Sequence, residues 1–510
     1  MICRFTTSSL VVLIAISSCM FIACTDDDDD GATATPTPTP STATSFWAAS
    51  VSTGEYYQLT ANLIGEGEHC KIYLEVGADS AVEITDELIA NISTAFTQIY
   101  QLDRSCFGEE PNPGIDGDPK IIILLLDIKD DYDPPSNTSY TAGYFSWIDL
   151  LTEEQLQSLG VDAKTNKKEM FYMDVFPGEV GSDVFMRAFP HEFQHMINFY
   201  QKTFLPYQNT GSGSFEATWL NEAMSEVAET VCGYGPYYGF VYLYLEQPDA
   251  AGLTEWSNAL HDFAIGLMWA SYLYDRWGTA VIRDMVTLPE DGLPRYGIDA
   301  VEYSIQKNNL SAEGIDTFER LYTAWNFTVL LESLQLDIPP YQYTSIELFG
   351  THDDFPLNGV TMIIDQSNAG QLGSYASRYF SFTNPGSVSF TPANASASAF
   401  FDGGDAHSLV WHMESGQWYA AGTMGYAVAR NPNSTHISDS GSYSWTNTGY
   451  QSRIPHYLPP DRHLTQKEAT DVIHAITGKP VPIDVDWIFM EQLREALDSK
   501  KVKQEQGFPK

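Results

Sequence analysis

Two histidines four residues apart, His191 and His195, constrain the fold of this chain more than any other feature. Residues at this spacing project from the same face of a helix, about one turn apart. Their imidazoles could then share one zinc ion, with the carboxylate of Glu192 in reach of a water on that ion. The pattern predicts a helix across these residues and requires a further ligand from another element.

The segment 219–229 offers that ligand on a second predicted helix. Glu222 would complete a set of two histidines and one carboxylate, which leaves a fourth position open as in catalytic zinc sites. Glu226 lies one turn further on and could accept a hydrogen bond from the non-ligating nitrogen of His191. The alternative is that both glutamates belong to the solvated face of an amphipathic helix.

These two segments resemble known zinc peptidases. Residues 221–226, Asn-Glu-Ala-Met-Ser-Glu, resemble the third-ligand segment of thermolysin-like gluzincins, and 191–196 with 219–226 resemble the hyicolysin family of bacterial metallopeptidases. Weaker similarity at 142–145, Asp149 and 272–278 extends the resemblance over roughly residues 120–280. It implies a zincin-like catalytic region, with His191, His195 and Glu222 as zinc ligands and Glu192 as the catalytic residue.

Two departures from the family pattern affect the mechanism. Pro190 precedes the first histidine, so the helix either begins there or is kinked. Phe263 and Ala264 stand where relatives tend to carry Tyr-Gly, which removes a hydroxyl that could bind an oxyanion. His261 is a possible oxyanion donor instead, although a histidine at a helix entry is more often a cap or a surface residue.

The N-terminus predicts export and a lipid anchor. The apolar run 10–16 is too short to span a bilayer and matches the core of a signal peptide, residues 1–23. Ile22-Ala23-Cys24 resembles a bacterial lipobox, which would make Cys24 the acylated residue of an extracytoplasmic, membrane-anchored lipoprotein of the cell envelope. Residues 24–45 then form an acidic and Thr-Pro-rich tether. Simple secretion and an uncleaved anchor are the alternatives.

Charge argues against nucleic acid as a partner. The chain has 26 Lys and Arg against 67 Asp and Glu, a formal net charge of −41, which repels a phosphate backbone. Asp127, Asp130, Asp131 and Asp133 could bind calcium, but they lack the spaced loop with a central glycine that calcium sites use. A solvated turn is the favoured interpretation there.

The pattern of apolar residues predicts an α+β fold in three parts after the tether: a catalytic region of small sheet plus helices at 46–335, a β-sandwich at 336–463 and a helical tail at 464–510. Predicted strands lie at 69–76 and 120–127. Predicted helices lie at 81–100, 183–202, 217–231, 261–277, 315–334 and about 490–501.

Three cysteines remain after the signal and anchor, so at most one disulfide forms within the chain. In an oxidising envelope Cys70 and Cys106 are the natural pair, which leaves Cys232 buried in a helix.

These features predict a zinc metallopeptidase, acting as an endopeptidase on protein or peptide substrates outside the cytoplasm. The chain contains no Gly-x-Ser-x-Gly nucleophile motif and no glycine-rich phosphate loop. The alternative is a non-catalytic envelope lipoprotein that binds glycan or protein through its β-sandwich and keeps a vestigial zinc site. An open cleft at Glu192 favours the enzyme, and a filled cleft favours the binding protein.

Overall fold

The computed structural model describes residues 43–210, 213–364, 369–383, 387–393, 395–402, 407–420, 424–432, 441–447 and 463–483. The predicted signal peptide, the anchor Cys24, most of the tether and the charged helix expected at 490–501 lie outside these ranges. Among the described helices, none has both the length and the apolar character needed to cross a membrane.

A six-stranded sheet forms the base of the N-terminal half. The strands of this half are β1 (Thr44–Ala49), β2 (Tyr56–Glu66), β3 (Cys70–Glu75), β4 (Ile121–Leu126), β5 (Ser139–Thr141), β6 (Gly143–Phe145) and β7 (Met170–Asp174). The sheet order is β1-β2-β3-β4-β7-β6. The strands β3, β4 and β7 are parallel, and β6 runs antiparallel to β7 at the edge.

Of these strands, β3 and β4 were predicted from the sequence, whereas β1, β2, β5, β6 and β7 were not. All five residues of β7 are buried, as are all six of β4, because both strands are covered on both faces. A buried strand of only five residues has no alternation by which to recognise it.

The helices are α1 (Asp86–Phe107), α2 (Glu153–Leu159), α3 (Asp183–Phe199), α4 (Leu205–Thr210), α5 (Thr218–Val231), α6 (Tyr238–Glu246), α7 (Leu260–Trp277), α8 (Thr279–Val286), α9 (Ile298–Lys307), α10 (Phe318–Ser333) and α11 (Gln466–Thr477). A π-helical turn at Tyr200–Phe204 continues α3, and 3₁₀ turns lie at Trp147–Leu150 and Leu310–Glu313.

The first helix differs from its predicted bounds of 81–100. It begins at Asp86 because the hydroxyl of Thr85 accepts a hydrogen bond from the backbone N–H of Leu88 and caps the helix. It continues to Phe107 and ends at Gly108, whose φ of 106° is unfavourable for other residues.

Short strands dominate the second half. They are β8 (Phe349–His352), β9 (Phe355–Asn358), β10 (Met362–Ile364), β11 (Ala369–Leu372), β12 (Ser377–Thr383), β13 (Ser387–Ala393), β14 (Ser396–Asp402), β15 (His407–Val410), β16 (Trp418–Ala420), β17 (Met424–Arg430), β18 (Gly441–Asn447) and β19 (Val481–Ile483). Most form two sheets, β10-β12-β17-β14-β15 and β11-β18-β13-β16. Phe380, Phe390 and Phe401 belong to one hydrophobic cluster that both sheets share. Helices and sheets together confirm the predicted α+β class.

The disulfide prediction is wrong in this structure, where Cys70, Cys106 and Cys232 are all free. Cys70 lies against Ser93 of α1, whereas Cys106 lies near the end of the same helix, about 20 Å further along its axis. Cys232 is half-buried and follows the last residue of α5, so it is not buried inside a helix. Its thiol donates a hydrogen bond to Asp103, 3.2 Å away.

Candidate metal centre and cleft

His191 and His195 lie on α3, which begins well before Pro190. The hydroxyl of Ser182 caps this helix by accepting a hydrogen bond from the N–H of Phe185. Pro190 therefore sits inside the helix, where its nitrogen cannot donate to the carbonyl of Met186. The helix therefore does not begin at Pro190, which was one of the two alternatives predicted from the sequence.

The helix α5 packs against α3 and brings Glu222 to the two imidazoles. Oε2 of Glu222 lies 3.4 Å from Nε2 of His195 and 3.8 Å from Nε2 of His191. One ligating atom from each of the three side chains lies within 4.8 Å of the other two, and all three residues are buried.

This donor set fits zinc. Two imidazole nitrogens and one carboxylate oxygen are ligands that zinc accepts at about 2.0–2.2 Å, and ligands at that distance in a tetrahedron lie about 3.4 Å apart. The observed separations to Glu222 are close to that value, so small side-chain movements would bring the three atoms around one ion.

A hydroxyl lies behind the ring of His195. Oγ of Ser225 donates to Oε1 of Gln194 at 2.5 Å and lies 3.1 Å from Nδ1 of His195. The same hydroxyl lies 3.3 Å from the carbonyl oxygen of Asn221, and when its single proton goes to Gln194 or to Asn221, Nδ1 of His195 is the donor to Ser225. The Nε2 atom that faces Glu222 is then unprotonated, as a metal ligand must be.

Two carboxylates lie behind His191. Nδ1 of this ring is 3.5 Å from Oε1 of Glu229 and 4.0 Å from Oε1 of Glu226. The predicted residue Glu226 therefore lies near Nδ1 of His191, as expected. Glu229, which was not predicted from the sequence, lies closer to this ring nitrogen. Both glutamates are buried.

A cavity of about 60 Å³ lies beside these residues. Its polar lining consists of His191, Glu192, Glu226, Glu229, Arg187 and Tyr237. Its apolar lining includes Val184, Ala188, Phe240 and Phe263, together with Pro482 and Ile483 from the C-terminal segment. Glu192 thus lines the same open space as His191, whereas His195 and Glu222 are not among the lining residues.

Only glycine fits on β6 next to Glu192. A Cβ on Gly143 would lie 2.8 Å from the carbonyl oxygen of Tyr172 and 3.3 Å from Oε1 of Glu192. The first of these distances is shorter than a real contact. The missing side chain allows the edge strand to approach the carboxylate.

The chain is similar to a known metalloprotease. It is 29% identical over 243 residues to the neutral metalloprotease ShpI of Staphylococcus hyicus. The match covers 45% of this chain, and the chain spans about half the length of that relative. No family model matches the chain. The similarity supports a distant relationship to metallopeptidases.

The structure does not bring His261 to the cleft. This histidine is buried at the start of α7 and does not line the cavity that contains Glu192. Burial lowers the pKa of His261 to about 4. Its neighbour Asp262 accepts hydrogen bonds from the backbone N–H groups of Ser257 and Ala259.

In the acidic turn considered for calcium, the carboxylate of Asp130 is already hydrogen-bonded to the backbone. Asp130 accepts hydrogen bonds from the backbone N–H groups of Tyr132 and Thr141, at 2.9 and 2.7 Å. Among the described residues, the groups of three side chains that could hold a metal ion both include His191.

Two residues of the cleft were missed in the sequence. Arg187 lies four residues before His191 and so shares its helix face, a spacing that could have identified it. Its guanidinium is mostly buried and lies 3.4 Å from the carboxylate of Asp353. The ring of Tyr237 lies 5.8 Å from that guanidinium. Tyr237 precedes α6 and has no signal in the sequence, because only long-range packing places it here.

Proposed function

We propose that this protein is a zinc-dependent endopeptidase of the hyicolysin type. The observation that carries the proposal is the convergence of His191, His195 and Glu222 beside a cavity lined by Glu192. The similarity to a neutral metalloprotease supports the same activity.

Zinc, when bound by these three residues, supplies Lewis acidity and makes water a better nucleophile near neutral pH. Glu192 is buried and lines the cavity, so its carboxylate is placed to take a proton from the attacking water and to deliver it to the leaving amine. Arg187 and Tyr237 are further hydrogen-bond donors in the lining of the cavity and can orient a substrate carbonyl or carboxylate.

The cavity favours an enzyme over a binding protein with a vestigial metal site. A vestigial site has no need for open space beside Glu192, whereas hydrolysis requires room there for the attacking water. The glycine on the edge strand is compatible with the enzyme, because it lets β6 lie close to the carboxylate of Glu192.

We also propose a zincin-like region followed by a β-sandwich, with the protein held outside the cytoplasm by a lipid on Cys24. The six-stranded sheet with its helices and the two sheets with a shared hydrophobic cluster support the first part. The apolar run 10–16 and the lipobox-like residues before Cys24 support the second.

The test is the change Glu192→Gln, which keeps the shape of the side chain and removes the base. We expect the zinc content to stay at the parent value and the rate of casein cleavage to fall about 10²- to 10⁴-fold. Zinc is measured by mass spectrometry of the purified protein, and product termini show whether cleavage is internal.

The matched control is Glu246→Gln on α6, a partly buried glutamate that does not line the cavity. It should leave both zinc content and cleavage unchanged. If Glu192→Gln cleaves casein as fast as the parent, Glu192 is not the base. If neither form cleaves any of several unstructured proteins, the binding function is the better assignment.

A further inference from the structure

The C-terminal segment returns to the N-terminal half of the protein, where it forms a two-stranded sheet with β5. Its helix α11 has a capping box in which Thr465 accepts from the N–H of Glu468, and its buried residues include Ala469 and Ile473. After the helix, β19 pairs in parallel with β5, and the N–H of Val481 donates to the carbonyl of Thr138 at 2.9 Å. The side chain of Val481 is fully buried, so its packing holds β19 against the rest of the protein.

The pairing places the end of β19 next to the cleft. Ile483 lies opposite Thr141 in the register, and Thr141 is separated from Gly143 of β6 by Ala142 alone. Pro482 and Ile483 accordingly line the same cavity as Glu192. Two residues from the far end of the chain thus form part of the wall of the candidate active site.

This part of the wall is apolar. Pro482 and Ile483 are partly exposed, in contrast to the fully buried Val481 beside them. The rings of Phe240 and Phe263 stack with their centroids 5.8 Å apart and line the same cavity. An apolar side chain that enters this space removes its own surface and that of the wall from water.

We propose that Ile483, together with Pro482, selects an apolar substrate side chain next to the cleaved bond, so that the C-terminal segment determines specificity. This inference rests on the proposed peptidase activity and adds the residue that discriminates between substrates. A hydrophobic pocket typically discriminates about 10- to 200-fold for a change of one methylene group.

The test compares two fluorogenic peptides that differ only in one residue, Phe or Ala, beside a cleavage site first mapped on casein. We expect the parent to prefer the Phe peptide in kcat/KM. Ile483→Ala should reduce that preference about tenfold, because the side chain loses part of its apolar contact. Ile483→Trp should fill the cavity and also reduce the preference, by slowing cleavage of the Phe peptide more than that of the Ala peptide.

The matched control is Ile476→Ala, the same chemical change on α11 at a residue that does not line the cavity. It should keep the parent preference, and thermal unfolding should show that all variants are folded. If both Ile483 variants keep the parent preference within twofold, or if Ile476→Ala lowers it equally, the proposal is overturned.

A binding measurement separates this proposal from the proposed function. In the Glu192→Gln form, the dissociation constants of the two labelled peptides are measured by fluorescence anisotropy with and without Ile483→Ala. Tighter binding of the Phe peptide that is lost in Ile483→Ala supports the role of Ile483 even if the parent cleaves nothing. Equal binding of the two peptides to Glu192→Gln overturns it even if casein is cleaved.

Discussion

At the level of single residues, the groups behind the two imidazoles decide how the rings face the metal position. The hydroxyl of Ser225 lies between Oε1 of Gln194 and Nδ1 of His195. His191 has two carboxylates behind it instead of a hydroxyl. A hydrogen bond from Nδ1 of His191 to these carboxylates would leave its Nε2 free for a metal ion.

Removal of Glu222 should weaken zinc binding. In Glu222→Ala two histidines remain, and a catalytic zinc site usually has three protein ligands. We expect a lower zinc affinity, measured by competition with a chromophoric chelator. The control Glu192→Gln should bind zinc as the parent does. Stoichiometric zinc at unchanged affinity in Glu222→Ala would exclude Glu222 as a ligand.

The two carboxylates behind His191 should share one function. Loss of a hydrogen-bond partner of a metal-binding histidine typically costs about 10- to 100-fold in metal affinity or activity. Because Glu229 lies closer to Nδ1 than Glu226, we expect Glu226→Gln alone to cost less than this range and Glu226→Gln with Glu229→Gln to reach it. Zinc affinity and kcat/KM are the measurements. A single Glu226→Gln variant as impaired as the double one would assign the role to Glu226 alone.

At the level of elements, three pieces meet at the cleft: α3 with the histidines, α5 with Glu222 and the edge strand β6. The helices contribute the candidate metal ligands, and the i, i+4 spacing aligns the two histidines along one face of α3. The strand contributes a close backbone, since Gly143 has no side chain to hold it away from Glu192.

A side chain on this strand should impair catalysis. In Gly143→Ala the new Cβ would collide with the carbonyl of Tyr172 and approach the carboxylate of Glu192, so β6 must shift. We expect zinc content to persist and kcat/KM to fall at least tenfold. Gly266→Ala is the control, because a Cβ there meets Ala223 at an ordinary 3.5 Å and alanine favours a helix. Full activity in Gly143→Ala would show that the strand does not have to approach so closely.

At the level of the whole molecule, buried ionisable groups make stability depend on pH. The pKa of His261 is lowered by burial to about 4, below the value of about 6.5 in an unfolded chain. Between these values the unfolded chain binds the proton and the folded protein does not. Stability from this group is therefore complete above about pH 6.5 and declines as the pH falls towards 4, by about 3 kcal/mol in all.

A variant without this histidine should resist acid better. We expect the free energy of unfolding of His261→Gln to decline less than that of the parent between pH 7 and pH 4.5. Urea unfolding in the presence of a chelator measures the difference without a contribution from metal loss. The control is His412→Gln, since His412 is exposed. Parallel pH curves for the parent and His261→Gln would show that His261 is not buried in its neutral form.

The sequence by itself determined those helices and strands of this protein whose pattern depends only on neighbouring residues. The spacing of His191 and His195 and the apolar residues around them specify a helix and its ligand face, because the 3.6-residue period is a property of neighbouring residues. Glu222 and Glu226 could be selected for the same reason, once a second helix was expected beside the first. The uninterrupted apolar run of β4 likewise identified a buried strand.

Only the tertiary structure decided which residues from distant segments contact these helices and strands. The position of Glu229 behind His191, the approach of Gly143 to Glu192 and the return of Ile483 to the cleft depend on contacts between segments far apart in the chain. Cys70 and Cys106 illustrate the same limit, since their pairing depends on the distance between them and not on their number. Long-range contacts depend on how all the elements pack together, and no local pattern of residues encodes that packing.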